Sequence, residues 1–216
     1  MKLIPSTRSE KSRLFLLLFA ALCAAYFSNA HVIFYYLGYS PRDGDIVFQS
    51  LPRSELVDAI EGITHSPFSH CGVVIRDGNR WKVIEAIGDV HSTPLLRWMQ
   101  RGRAAGFAVY RFDSKFDPLM PAFKKHLISY SGLPYDFDYS MSDSEIYCSE
   151  LPYKAFREAS GEKMGELEKL GDLNWKPFET FIRSIQGNLL PLDRVMITPS
   201  SLSQAPQIHP VYRKGI

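Results

Sequence analysis

The sequence predicts an α+β domain organised around an antiparallel sheet, on three observations. The stretch CGVVIRDGNRWKVIEA, Cys71 to Ala86, sets two β-branched runs on either side of Asp77-Gly78-Asn79, the strongest short-range hairpin signal. Strand-like runs with one helix come first and helices later, an order that favours a segregated α+β arrangement. The 216 residues are enough for one well-buried domain, and 45% hydrophobic with 22% charged residues excludes disordered and fibrous classes.

The N-terminus reads as an address. Lys2, Arg8, Lys11 and Arg13 precede the apolar run Leu14 to Phe27, which is followed by Ser28-Asn29-Ala30. A basic segment, a short apolar segment and a small-residue exit predict a secretory signal over residues 1–30, cleaved after Ala30. The run continues through HVIFYYLGY toward the roughly 20 residues that span a bilayer, so an uncleaved membrane anchor is the alternative. Either way the expectation is an exported chain, periplasmic or anchored in the cell envelope, with its folded domain over residues 40–216. Cys23 follows Ala20-Ala21-Leu22, but the bulky Leu22 fits lipoprotein processing poorly.

In the domain, Pro41 and an Asp-Gly-Asp turn lead into a strand at Ile46–Phe48. SELVDAIEGI, Ser54 to Ile63, carries Leu56, Val57 and Ile60 at helical spacing behind a Ser54 cap. After the hairpin, GFAVYRF (Gly106 to Phe112) alternates as a strand. Asp117 to Gly132 predicts a helix with Asp117 as cap, Pro118 in the first turn and Gly132 as terminator. A loop then leads to Cys148, and Ser149 to Gly161 repeats the helical spacing at Leu151, Ala155 and Phe156. A charged segment around GEKMGELEKLGD predicts an exposed helix or loop, and KPFETFIRSIQGN a last helix. The Pro- and Ser-rich tail from Leu190 reads as an extended wrap.

Composition narrows the chemistry. A net charge of +2, with no basic run interleaved with aromatics, argues against nucleic acid. Three cysteines, Cys23, Cys71 and Cys148, form no paired spacing, so a disulfide framework is not expected. His65, His91, His126 and His209 share no spacing with carboxylates, so no metal site is expected.

His70 stands directly before Cys71, but successive side chains on a strand face opposite ways, so those two do not form a pair. If Asp77-Gly78 is the hairpin loop, His70 faces Glu85. If Gly78-Asn79 is the loop, Glu85 faces Gly72 and is a diagonal neighbour of His70. A three-residue loop would separate them. A carboxylate on one ring nitrogen fixes the tautomer and supports the imidazolium, leaving the other nitrogen as base. Cys148 precedes a helix, where free N–H groups and the helix dipole favour a thiolate. The same N–H groups are placed for a developing oxyanion. Cys71 reads as a small buried hydrophobe on the far face of its strand. A lone cysteine before a helix is also what a core residue looks like, and spacing alone does not separate the two.

GDIVFQS, then a helix, then THSPFSHCGVVI, VIEA and YDFDYSMSDSEIYCSELPYKAF together resemble the permuted papain-like cysteine hydrolases of the YaeF/YiiX (YebB-like) type. Those relatives belong with cell-wall peptide amidases and lecithin:retinol acyltransferase-like enzymes. The resemblance runs from about Gly44 to Phe156, and ITPSSL, Ile197 to Leu202, is similar to a closing motif. It implies a circularly permuted papain-like fold with the antiparallel sheet packed on the nucleophile helix, and histidine before cysteine in the chain. It also implies Cys148 as nucleophile, His70 as base and Glu85 as the orienting residue. It implies a structural or substrate-side role for Asp45, read here as substrate-binding, and a cleft-lining, substrate-side position for Tyr135. Pro152 stands where an aliphatic residue is usual, and Cys71 where a small aliphatic one is.

The expected activity is therefore an exported cysteine hydrolase that cleaves an amide, such as a cell-wall peptide, through an acyl-enzyme without metal or organic cofactor. A lipid acyl hydrolase or acyltransferase at the membrane, contacted through the N-terminus, is the second expectation. A dormant binding module on the same scaffold is the third.

Overall fold

The computed structural model describes residues 12–20, 23 and 38–216. The chain divides into two units, 1–40 and 41–216, each treated by itself. In the first, residues 12–20 are helical and expose Leu14 through Phe19. Among the described residues no helix is long and apolar enough to cross a membrane. The expected exit at Ala30 lies outside the described residues.

Residues 41–216 hold a six-stranded antiparallel sheet in the order β4-β3-β2-β1-β5-β8. Chain order runs β1 (Ile46–Gln49), α1 (Glu55–Thr64), β2 (His70–Asp77), β3 (Arg80–Ile87), β4 (Asp89–Pro94), α2 (Leu95–Arg101) and β5 (Phe107–Phe112). Next come α3 (Met120–Ser129), α4 (Glu150–Ser160), β6 (Glu168–Lys169), α5 (Glu179–Ile185), β7 (Val195–Met196), α6 (Pro199–Ser203) and β8 (Ile208–Lys214). β6 and β7 form a separate two-stranded ladder.

The β2–β3 register settles the hairpin. Asp77 pairs with Arg80 and Val73 with Ile84, so the loop is Gly78-Asn79, and Glu85 falls opposite Gly72, diagonal to His70. One face of β2, Cys71, Val73 and Ile75, joins the main core with Leu151 and Phe156 of α4. On β3, Val83 and Glu85 alternate with the core residues Ile84 and Ala86 and so occupy the other face. The short helix α2, with Leu95, Trp98 and Met99 buried, packs against β3 and β4.

Local chemistry explains the boundaries. Ser54 caps α1 by accepting the Val57 N–H at 3.2 Å. Gly161 ends α4 at φ 77°, a left-handed position that glycine reaches without a Cβ penalty. Pro152 falls in the first turn of α4, where a proline is tolerated. Several expectations shift. The Asp117 segment is a 3-10 turn, Ser114–Leu119, and the helix begins at Met120 without a capping side chain. The charged GEKMGELEKLGD segment gives β6 and a 3-10 turn, not a helix. The expected last helix is shorter, a 3-10 turn at Lys176–Phe178 followed by α5. The tail is not a loose wrap: β8 pairs with β5 as the sheet's edge strand.

Gly72 couples this register to the site. A Cβ built there would lie 2.5 Å from Val83 Cγ1, 2.9 Å from the Ile84 carbonyl oxygen and 3.2 Å from Glu85 Cβ. Gly72→Ala is therefore expected to overpack the hairpin and lower unfolding free energy by about 1–3 kcal/mol in urea denaturation. An unchanged midpoint would mean that β2 and β3 are not packed this closely at Glu85.

Candidate active site

The site is built at the end of the sheet, where β2 begins with His70. Its Nε2 lies 2.6 Å from Glu85 Oε2, with both side chains shut away from solvent. Glu85 Oε1 accepts the Thr93 hydroxyl at 2.6 Å, and Arg101 Nη2 donates to Oε2. Burial works to raise the Glu85 carboxyl, but the hydrogen bonds and charges of His70 and Arg101 outweigh it and hold the group at about 2. Because its pKa is depressed, Glu85 contributes stability that is present above the ordinary 4.5 and lost as pH falls through about 2.

The imidazole also meets Cys148. Burial works to lower the His70 pKa, and the contacts with Cys148 and Glu85 reverse that and raise it to about 9. With Nε2 on Glu85, Nδ1 is the nitrogen left for the thiol. Cys148 is held well below an ordinary thiol, chiefly by a hydrogen bond from the Cys71 thiol. Burial opposes this shift, and His70 and the Cys71 backbone N–H add to it. The Cys71 thiol is pushed up by its own burial and by Cys148. Here the sequence expectation needs correcting. Cys71 does face away from His70 and does join the core, but Cys148 lies across the end of β2 and touches both. Nor is Cys148 openly accessible: it is 3% exposed and meets the exterior only through a cleft.

Cys148 is held from both sides. Its neighbour Tyr147 accepts the Ile197 N–H at 2.9 Å through its hydroxyl, and Ser149 donates to the Ile197 carbonyl at 2.9 Å. The Ile197–Leu202 segment thus clamps the residue before and the residue after the thiol, and Thr198 caps α6 immediately beyond.

Two clefts meet at this point. One reaches Cys148 between Leu56, Ile60, Ile182, Met196 and Ile197 and is almost wholly apolar. The other is lined by His70, Arg101, Tyr135 and Ser69, and by the same Leu56 and Ile60 of α1. Tyr135 is pinned beneath β4, its N–H donating to the Gly88 carbonyl at 2.9 Å, and its hydroxyl meets the Cys148 sulfur. Burial and the neighbouring Tyr139 and Cys148 push its phenol up, so it stays a donor.

Residues 40–212 match the family described as permuted papain-like amidase enzyme, YaeF/YiiX, C92 family. The chain belongs to this family of permuted papain-like amidases. It is 32% identical over 183 residues to a protein described as uncharacterized, YiiX of Escherichia coli (strain K12), covering 82% of this chain and 88% of the relative. A solved structure titled metalloprotein yiiX from Escherichia coli O157:H7 is 32% identical, with a TM-score of 0.77 over 82% of this chain and 99% of that one. Membership brings the permuted papain-like fold and an amide-hydrolysing class of enzyme.

Within this family member the expected site residues separate. His70, Glu85, Cys148 and Tyr135 come together; Asp45 does not join them. Asp45 lies at the start of β1, four positions before Gln49, the cross-strand partner of His70, a separation of roughly 13 Å at the usual rise. Its fully buried carboxylate accepts Arg111 Nε and Nη2 at 2.7 and 2.8 Å and the Arg42 N–H at 2.9 Å, and it lines neither cleft. It ties the start of β1 to Arg111 of β5. Thr93 and Arg101 were not anticipated; a polar Thr on a strand and an Arg closing a short helix carry no spacing signal. His91, His126 and His209 do pair with carboxylates, Asp89, Glu158 and Asp113, at 2.7, 2.8 and 2.9 Å. Among the described residues no three His, Cys, Asp or Glu side chains gather to hold a metal.

The His70 ring is expected to titrate near 9 by NMR of the labelled imidazole, and lower in Cys148→Ala and in Glu85→Gln. A wild-type midpoint at the ordinary 6.5 would show that no thiolate or carboxylate partner stabilises the imidazolium.

Proposed function

We propose that the protein is a cysteine hydrolase that cleaves an amide bond through a thioester on Cys148. The observation that supports it most is the His70 ring held between Glu85, at 2.6 Å, and the lowered thiol of Cys148. Cys148 Sγ attacks the carbonyl carbon. The Tyr135 hydroxyl and the N–H groups at the start of α4 face the oxygen as it becomes an oxyanion. The imidazolium gives its proton to the leaving nitrogen, the C–N bond breaks, and His70 then takes a proton from the water that hydrolyses the thioester. Glu85 holds the ring in position and supports its charge, and it stays ionised throughout.

The two clefts support an order for the substrate. The acyl part lies on the Cys148 side, and the amine leaves on the side of the proton donor. The apolar walls of the Cys148 cleft fit an acyl group with an aliphatic chain, and this favours a second reading, a lipid acyl hydrolase or acyltransferase, over a dormant binding module. The relative's title names a metalloprotein; among the described residues of this chain no three His, Cys, Asp or Glu side chains gather as a set of ligands.

Turnover of dodecanoyl and acetyl p-nitroanilides tests this. Cys148→Ala is expected to abolish hydrolysis, and Glu85→Gln to lower kcat by about 10²–10⁴-fold without unfolding the protein. Wild-type rates in both variants would remove these residues from the chemistry, and equal rates on the two acyl groups would remove the apolar cleft from recognition. We further propose that the chain is exported, on the basic and apolar N-terminal segment; recovery of the full-length chain in the soluble cytoplasmic fraction would contradict this.

A further inference from the structure

Arg101 closes α2 on the wall of the His70-side cleft. Among the residues lining that cleft it is the only Lys or Arg, and none is Asp or Glu. A guanidinium carries five N–H donors. Glu85 takes one of them, at the same Oε2 that meets His70, and Arg101 Nε is shut away without a partner. The side chain is still 29% exposed and lines the cleft. Glu85 has nothing more to give: it is fully buried, and its two oxygens already serve His70, Thr93 and Arg101. Because His70 Nε2 and Arg101 Nη2 share one oxygen, they lie no more than roughly 6 Å apart, two hydrogen-bond lengths.

That places a partly exposed guanidinium, paired with Glu85 on one side, beside the imidazole ring, on the side of its Nε2. We infer that Arg101 is a specificity-determining residue that binds an anion carried close to the leaving nitrogen, directing the site toward N-acyl amines with an acidic amine part. A carboxylate on the neighbouring carbon, as in an N-acyl amino acid, meets the planar fork through paired hydrogen bonds; a phosphate on a slightly longer arm offers the same chemistry. The inference rests on the hydrolase reading for which part of the substrate enters this cleft. Its test does not need turnover.

The test is calorimetric titration of the full-length Cys148→Ala protein with N-dodecanoylglycine, its neutral glycinamide counterpart and N-dodecanoyl-phosphoethanolamine. The glycine compound is expected to bind about 10–100-fold tighter than the glycinamide, as one charge-assisted pair provides. Adding Arg101→Gln is expected to collapse that ratio, and Arg101→Lys to keep part of it. If Arg101 only holds Glu85, the Gln variant weakens both ligands alike and the ratio survives, which overturns the inference. Equal wild-type affinities, or no binding of any of the three, overturn it as well. Tighter binding of the phosphoethanolamine compound than of the glycine compound supports the anion site and assigns phosphate as its source. If anions are preferred but protein with Cys148 intact hydrolyses none of the three, the anion site stands and the hydrolase reading fails.

Discussion

A buried carboxylate dictates the arrangement of this site. Glu85 is closed to water, and a charge so placed is tolerated only if its partners replace the lost solvation. His70 comes from β2, Thr93 from β4 and Arg101 from α2, so one side chain on the central hairpin fixes three other elements. Removing Thr93 would leave a buried carboxylate oxygen short of a donor, and removing His70 or Arg101 would take away charge that offsets the carboxylate. The group that tunes the imidazole is thus also one that the fold cannot easily lose.

The second constraint acts on the thiol. Cys148 stands between two residues tied to Ile197, far along the chain, so the closing segment fixes the position of the thiol. The Cys71 thiol and amide donate to the sulfur from below, and His70 meets it from the side. Burial would keep the thiol protonated; these donors reverse that. The α1 wall, with Leu56 and Ile60 shared by both clefts, then separates an apolar approach to sulfur from a cationic approach to the imidazole.

Much of this was legible in the residues, for physical reasons. Asp77-Gly78-Asn79 between β-branched runs announced the hairpin, and period-two alternation limited Glu85 to one of two positions near His70. The choice between them depended on which two residues turn, a matter of packing around Gly72 that no local pattern encodes. β4 went unread because it is an edge strand with few apolar residues, and α2 because it is a short helix of about two turns without a capping side chain. Thr93 and Arg101 were lost with them. β8 was missed because its partner, β5, lies far away in sequence. Resemblance left Asp45 between a structural and a substrate-side role, because its partner Arg111 is also set by a long-range pairing.

The central claim is that Cys148, and not the neighbouring Cys71, carries the acyl group. The direct measurement is intact-mass and peptide-mass analysis of the full-length protein quenched in acid during turnover of a dodecanoyl p-nitroanilide. The account predicts one dodecanoyl adduct on the peptide containing Cys148, removed by hydroxylamine as a thioester is, and absent in His70→Ala. An adduct on Cys71, or turnover with no thiol-bound acyl group at any time, would contradict it.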